Sequence, residues 1–323
     1  MTPARWTTLV VALLVVAVAG VMLGTMQLTP ADVLRGLLGH GSLTAVAVVR
    51  TLRLPRVVLA MIVGAGLGAA GAALQGATRN GLAEPYLLGV SGGAAVGAVV
   101  AVALHAPPAL VPVAGFAGAL AAIALTLVVA RAAGGQGDAR IVLMAGVVVG
   151  AFANAAIMVV MANADPNTVR NALWWMMGSV GDATWPQIAI LAAYVVAGGA
   201  ALIIVGRQID VLALGEDAAA SLGLDVDAAI RRVFFIASLL AAATVSAAGL
   251  VGFVGLVVPH LVRAAGVRRH RALLVGSAIT GATLVVLADL LGRVLRPPSE
   301  LPLGAVTALI GVPFFLVKLR RLV

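Results

Sequence analysis

Val57-Val-Leu-Ala-Met-Ile-Val-Gly-Ala-Gly-Leu-Gly-Ala-Ala-Gly-Ala-Ala-Leu-Gln-Gly-Ala77 runs its whole length without a charged residue. About 20 apolar residues suffice to carry a helix across a hydrocarbon layer of roughly 30 Å. A surface helix of a soluble protein would show a polar stripe instead, and none is present. Gly64, Gly68 and Gly71 recur among alanines, and small residues at such spacing let helix backbones approach closely in lipid. The stretch reads as a buried membrane span.

Working outward, similar runs bounded by charge, proline or glycine fall at 6–26, 57–77, 88–105, 110–131, 141–162, 187–206, 229–248, 250–264, 272–292 and 303–319. The expected fold is therefore an all-α polytopic membrane protein of about ten transmembrane helices, a single domain over 1–323. The eighth run is short and glycine-interrupted, which suits a tilted or broken helix. Gly89, Gly93 and Gly97 in the third run form a second close-packing stripe, for neighbours in the same chain or for a dimer seam. The first run contains Ala17-Val18-Ala19 but exceeds the 7–15 residues of a signal-peptide core, so it reads as a span.

Composition agrees. The chain is 62% hydrophobic and 10% charged with a mean hydropathy of +1.14, whereas soluble domains carry about a quarter charged residues. No hydrophilic stretch is long enough for a separate soluble domain. The net charge of +9 does not signal nucleic acid, because the basic residues sit between apolar runs and aromatics are sparse. There is no cysteine, which excludes disulfides, thiolate metal sites and cysteine catalysis. His40, His105, His260 and His270 show no ligand spacing. No metal-ligating or catalytic residue is expected.

The basic residues also orient the chain. An even number of spans puts both termini on one side, and Arg5, Lys318, Arg320 and Arg321 favour the cytoplasm. Arg79, Arg131, Arg140, Arg207, Arg231, Arg232, Arg263, Arg268, Arg269 and Arg271 fall on that same side. The remaining Arg35, Arg50, Arg53, Arg56, Arg170, Arg293 and Arg296 fall outside, a two-to-one bias. The outside residues cluster before the second span and after the ninth, against the insertion rule, and so call for another cause.

Energy must come from elsewhere if this chain pumps. Lys318 is the only lysine, so no P-loop can form and no cofactor is expected in this chain. Ion-coupled carriers place ionisable groups within the membrane. The one acid inside a run is Asp289, four residues before Arg293, the spacing of a helical ion pair. Two polar segments remain. Leu214-Gly-Glu-Asp-Ala-Ala-Ala-Ser-Leu-Gly-Leu224 is too short to span. It predicts a small helix with Glu216, Asp217 and Ser221 exposed and Leu214, Ala218 and Leu222 on another face, either a solvated loop helix or a docking helix. The 164–187 segment holds Trp174, Trp175, Met176 and Met177, either an interfacial aromatic belt or the lip of a pore.

Five segments in order resemble one family. They are Arg53-Leu-Pro-Arg56, Gly81-Leu-Ala-Glu-Pro-Tyr-Leu-Leu-Gly-Val-Ser-Gly-Gly93, Leu214–Gly223, Gly252-Phe-Val-Gly-Leu-Val-Val-Pro-His-Leu-Val-Arg263 and Glu300-Leu-Pro-Leu-Gly304. Together they resemble FecCD-type permease subunits of ABC importers for iron(III)-siderophores, haem and cobalamin, from about Arg50 to Arg321. The resemblance implies a dimer with a second copy or paralogue in the cytoplasmic (inner) membrane. It also implies two ATPase subunits carrying ATP and Mg, and an extracytoplasmic substrate-binding protein. Leu214, Gly215, Glu216, Asp217, Ser221, Leu222 and Gly223 would then form the ATPase-coupling helix. Arg53, Arg56 and Arg293 would meet acidic residues of the binding protein. The Trp174–Gly178 stretch resembles cobalamin permeases. The rival classes are an ion-coupled secondary transporter, and a membrane enzyme or scaffold.

Overall fold

The computed structural model describes residues 3–135 and 138–319. Arg320 and Arg321 of the basic set lie outside the described residues. The helices are α1 (Pro3–Met22), α2 (Pro30–Leu38), α3 (Leu43–Ala47), α4 (Leu54–Thr78), α5 (Val90–Ala103), α6 (Leu110–Ala132) and α7 (Ala139–Ala162). They continue with α8 (Pro166–Met177), α9 (Trp185–Leu212), α10 (Glu216–Ser221), α11 (Val226–Ala248), α12 (Val254–Ala264), α13 (His270–Val294) and α14 (Leu303–Leu319). No β-strand occurs among the described residues. Among the described residues, seven helices are long and apolar enough to cross a membrane, and α5, α12 and α14 are shorter apolar helices. Each expected run overlaps one of these ten. We call the side where α1 begins the near face and the side where it ends the far face.

Helix α4 is the pillar: α13, α11, α9 and α12 all pack on it. Its glycines make this possible. A Cβ at Gly64 would collide with the Gly281 carbonyl of α13, one at Gly68 with the Ser277 carbonyl, and one at Gly71 with the Gly255 carbonyl of α12. The second stripe joins α5 to α6 in the same way, Gly93 against Gly118 and Gly97 against Ala114. Gly89 instead takes a positive φ of 79° at the start of α5, a conformation that costs glycine nothing. All these contacts lie within the one chain.

The second span begins earlier than its apolar run. Leu43–Thr78 is a continuous 36-residue rod, in which a π-helical turn, Val48–Arg53, joins α3 to α4. Pro55 has no N–H for the Thr51 carbonyl, and its ring crowds that turn; the wider turn absorbs the misfit. Helix α9 likewise runs past 206 to Leu212, so part of the polar stretch is helical. Asp210 there accepts from the His270 main-chain N–H at 2.9 Å and pairs with its Nδ1 at 2.8 Å. On the far face, α2 is fixed by Thr29 and Asp32, which cap one another reciprocally.

Two helices fall short of the bilayer. With 14 residues in α5 and 11 in α12, they rise about 21 and 16 Å at 1.5 Å per residue, against roughly 30 Å of hydrocarbon. Irregular chain completes both, at 79–89 before α5 and at 249–253 before α12.

The glycine contacts give a direct test. Gly68→Leu should lower stability by about 3 kcal/mol, since an overpacked site must displace backbone. Gly199→Ala, where a Cβ meets nothing within 4 Å, should be neutral or stabilising by up to about 1 kcal/mol. Thermal unfolding midpoints in detergent measure both, and equal midpoints would refute the pillar assignment.

Candidate functional site

On the far face a cavity of about 1100 Å³ opens between α4, α5, α6, α8, α9 and α11. Helix α8 supplies its aromatic wall. Asp165 caps α8 by accepting from the main-chain N–H groups of Asn167 and Thr168 at 2.9 and 3.1 Å, and Pro166 fills the first helical position. The helix therefore begins at a fixed point and presents Trp174 and Trp175 to the cavity, beside Asn167 and Asn171, with Gln187 opposite on α9. Trp174 is 54% exposed; Trp175 is half-buried against α5 and α6. Met176 and Met177 do not line the cavity: Met176 packs beside Val99, Ile157 and Ala172, while the Met177 carbonyl faces Gly304. Of the four predicted lip residues, Trp174 and Trp175 thus line the cavity and Met176 and Met177 do not.

The last turn of α11 and Gly249, residues 246–249, line the cavity, and main-chain and side-chain hydrogen bonds hold the irregular chain beyond them in place. The Ser179 N–H donates to the Ala248 carbonyl at 2.8 Å, and the Leu303 N–H to the Gly178 carbonyl at 3.1 Å. From 80–89 come the Tyr86 hydroxyl, which accepts from Val251 N–H at 3.0 Å, and the Glu84 carboxylate, which accepts from Phe253 N–H at 2.9 Å. Phe253 has a φ of 67°, a strained conformation for an aromatic residue. Gln75, one turn beyond Gly71, donates to the Gly255 and Leu256 carbonyls at 3.2 and 3.1 Å. It accepts in turn from Arg263 at 2.6 Å, and His260 reaches the Gly81 carbonyl at 2.8 Å. Irregular backbone persists at membrane depth only where protein groups satisfy it, and these side chains do so. Glu84, Tyr86 and His260 stand in the quoted motifs with no signal of these contacts, Arg263 counts there only toward orientation, and Gln75 is the lone amide in the opening run.

The far-face arginines are brought together by three helix ends. Arg56 donates to Asp289 at 2.8 Å and to both Glu300 oxygens at 2.9 and 2.8 Å. Arg293 stands 3.1 Å from Asp289, the expected i,i+4 pair, and donates to the Leu23 and Gly20 carbonyls, each at 3.1 Å. Arg53 donates to the carbonyls of Val21 and Met22 at 3.0 and 2.8 Å, and to that of Met26. Arg53 and Arg293 are only 5% and 4% exposed, so neither presents a free guanidinium. Their place is structural: they seal the end of α1 against α4 and α13. Arg35, Arg50, Arg170 and Arg296 are the exposed arginines of that face.

The near face carries the short helix. Gly215 and Gly223, with φ of 112° and 82°, let the chain turn sharply on either side of α10. Ala219 is fully buried and anchors it. Glu216, Asp217 and Ser221 are exposed, as are Leu214 at 64% and Leu222 at 65%. The leucines expected on another face therefore also meet solvent, and α10 rests on α9 and α11 with Ala219 its one buried residue.

Residues 11–321 match the FecCD transport family. The chain belongs to that family. It is 43% identical to the cobalamin import system permease protein of Halobacterium salinarum, over 86% of this chain and 74% of that one. It is 38% identical to the hemin transport system permease protein of Yersinia pestis, over 84% and 82% of the two chains. Its fold superposes with a TM-score of 0.89 and 26% identity on a solved structure described as an inward-facing metal-chelate-type ABC transporter, over 99% of this chain and 100% of that one. FecCD proteins are membrane permease subunits of ABC transporters, which work with ATPase and binding-protein partners.

The arginine cluster separates two kinds of carboxylate. Asp289→Ala leaves Arg56 and Arg293 short of a buried counter-charge and should cost about 3–5 kcal/mol. Glu300, whose side chain is 42% exposed, should cost under about 1 kcal/mol when changed to Gln. Unfolding midpoints check the order, and an equal loss from both would overturn the structural role.

Proposed function

We propose that this permease moves a bulky metal chelate (an iron(III)-siderophore, haem or cobalamin) from an extracytoplasmic binding protein into the cytoplasm. It does so as a dimer with a second copy or paralogue, driven by two ATPase subunits that hold ATP and Mg. The membrane is the cytoplasmic (inner) membrane, with the near face and both termini in the cytoplasm. The two-to-one excess of basic residues on the near face supports that orientation.

One observation carries the reading. The vestibule and α10 stand on opposite faces of a bundle whose fold matches a metal-chelate-type transporter along nearly its entire length. A helix that exposes Leu214 and Leu222 beside Glu216 and Asp217 offers a mixed apolar and acidic surface for an ATPase groove. A vestibule of about 1100 Å³ has the size range of sites that enclose large ligands. The exposed Arg35, Arg50 and Arg296 face the binding protein, on a rim that Arg53, Arg56 and Arg293 hold rigid. Exposed charges steer and register such a partner more than they tighten it.

Movement of the ATPases displaces α10, and α9 and α11, on which it rests, carry the displacement into the bundle. The far ends of α9 and α11 line the vestibule, so the same two helices touch both faces. The solute passes without chemical change.

In proteoliposomes containing the permease, the ATPase and the binding protein, Glu216→Lys with Asp217→Lys should cut ATP-driven chelate uptake at least about tenfold, about 1.4 kcal/mol of coupling. Insertion and thermal stability should be unchanged, since both side chains are exposed. Undiminished uptake would refute the coupling assignment. Uptake by the chain alone under an ion gradient would favour a secondary transporter instead.

A further inference from the structure

The chemistry of the vestibule wall narrows the solute. Its lining holds two carboxylates, Asp165 and Asp182, and no lysine or arginine among the described residues. The only titratable base is His105, whose Nε2 is 3.9 Å from Asp165. The neutral polar lining is three amides, Asn167, Asn171 and Gln187, and three hydroxyls, Thr168, Ser179 and Ser246. Trp174 and Trp175 add flat apolar faces.

The two acids differ in freedom. Asp165 is committed to capping α8, and the Thr168 hydroxyl donates to it at 2.5 Å. That hydroxyl, helped by the main-chain N–H groups of Thr168 and Asn167, holds its carboxyl below the usual carboxylate range, so its charge is permanent near neutrality. Asp182 is exposed and makes no hydrogen bond or ion pair with the described residues. Two cations lie close without lining the cavity. Arg170 donates to the Asn167 side-chain oxygen at 3.3 Å. Arg56 approaches Gly181 but is already shared between Asp289 and Glu300. Even counting Arg170, the mouth carries net negative charge.

Resting on the importer reading above, we infer that the vestibule is a charge filter that favours neutral or cationic, amide-bearing chelates over anionic ones. Iron(III) held by three hydroxamates is neutral, and a corrinoid fringed with carboxamides is close to neutral. The side-chain amides of Asn167, Asn171 and Gln187 both donate and accept, and so match hydroxamate or carboxamide groups. Iron(III) held by three catecholates is a trianion and meets Asp165 and Asp182 as like charges in a partly desolvated mouth. Asp182 is the residue that sets the selectivity, because its charge is free of any structural duty.

The test uses the full-length permease with its ATPase partner in nanodiscs, read by quenching of tryptophan fluorescence. The probes are a neutral iron(III) trihydroxamate and an iron(III) tricatecholate of similar size. The neutral complex should bind at least about tenfold more tightly, about 1.4 kcal/mol. Asp182→Lys should shrink that gap to within about threefold by strengthening the anion. Asn171→Asp should widen it, a second variant that is informative if the lysine disturbs folding. Equal affinity for the two complexes, no quenching by either, or a gap untouched by both variants would overturn the filter. ATP-driven uptake in proteoliposomes separates this from the parent reading. Uptake of both charge classes at equal rates refutes the filter alone, whereas no ATP-dependent uptake of any chelate refutes the importer.

Discussion

The contact on which the rest depends is the approach of α4 to α13 and α12 through glycine. In lipid there is no hydrophobic gain from joining two apolar helices, so association rests on close van der Waals packing. Gly64, Gly68 and Gly71 bring the α4 backbone against carbonyls of Gly281, Ser277 and Gly255, a distance no side chain permits. Because α4 also receives α9 and α11, that one face sets the positions of the helices that line the vestibule and those that support α10. One turn beyond Gly71, Gln75 is thereby delivered to the first carbonyls of α12.

From that placement follows the handling of polar backbone. Two helices stop short of the bilayer, so their irregular leads carry N–H groups that lipid cannot satisfy. Leaving such a group buried and unpaired costs about 1–3 kcal/mol. Tyr86 and Glu84 remove that penalty for Val251 and Phe253, so each broken helix is completed by the other. The same logic governs the far face. Arg53 and Arg293 are costly to bury as charges, yet they turn inward because the last carbonyls of α1 and the carboxylate of Asp289 need donors. The positive charge of Arg53, Arg56 and Arg293 is thus accounted for by helix-end chemistry inside the chain.

Much of this was legible in the sequence. Hydropathy alone locates ten apolar runs, and the glycine spacing identifies the packed stripes, because both signals are carried by single elements. The i,i+4 pair of Asp289 and Arg293 is similarly local. What escaped is non-local. Nothing near Arg56 in the chain reveals Glu300 or Asp289, and nothing near Val251 reveals Tyr86. The reading of Arg53 and Arg293 as surface residues failed to anticipate their burial for that reason: a flanking arginine looks the same whether it faces water or a neighbouring helix end. The helix of the second run extends back past Pro55, a residue that usually breaks a helix but here only widens a turn. Met176 and Met177 were grouped with Trp174 and Trp175 by adjacency, although on a helix adjacent residues point about 100° apart.

The division of labour across the bundle explains why so little chemistry sits within the spans. A protein that lets a solute pass must bind it weakly enough to release it, and strong ligands along the route would hold a metal chelate in place. The polar groups at depth are accordingly spent on backbone: Gln75, Glu84, Tyr86 and Arg263 all face peptide groups or one another. The amides and carboxylates left over line the far-face vestibule, where the proposed recognition would act. The near face carries the six-residue α10 between two positive-φ glycines, where the proposed coupling to an ATPase would act. The helices α9 and α11 reach both places, and both pack on α4. The two faces of the bundle are thus tied to one shared element, α4, through the same pair of helices.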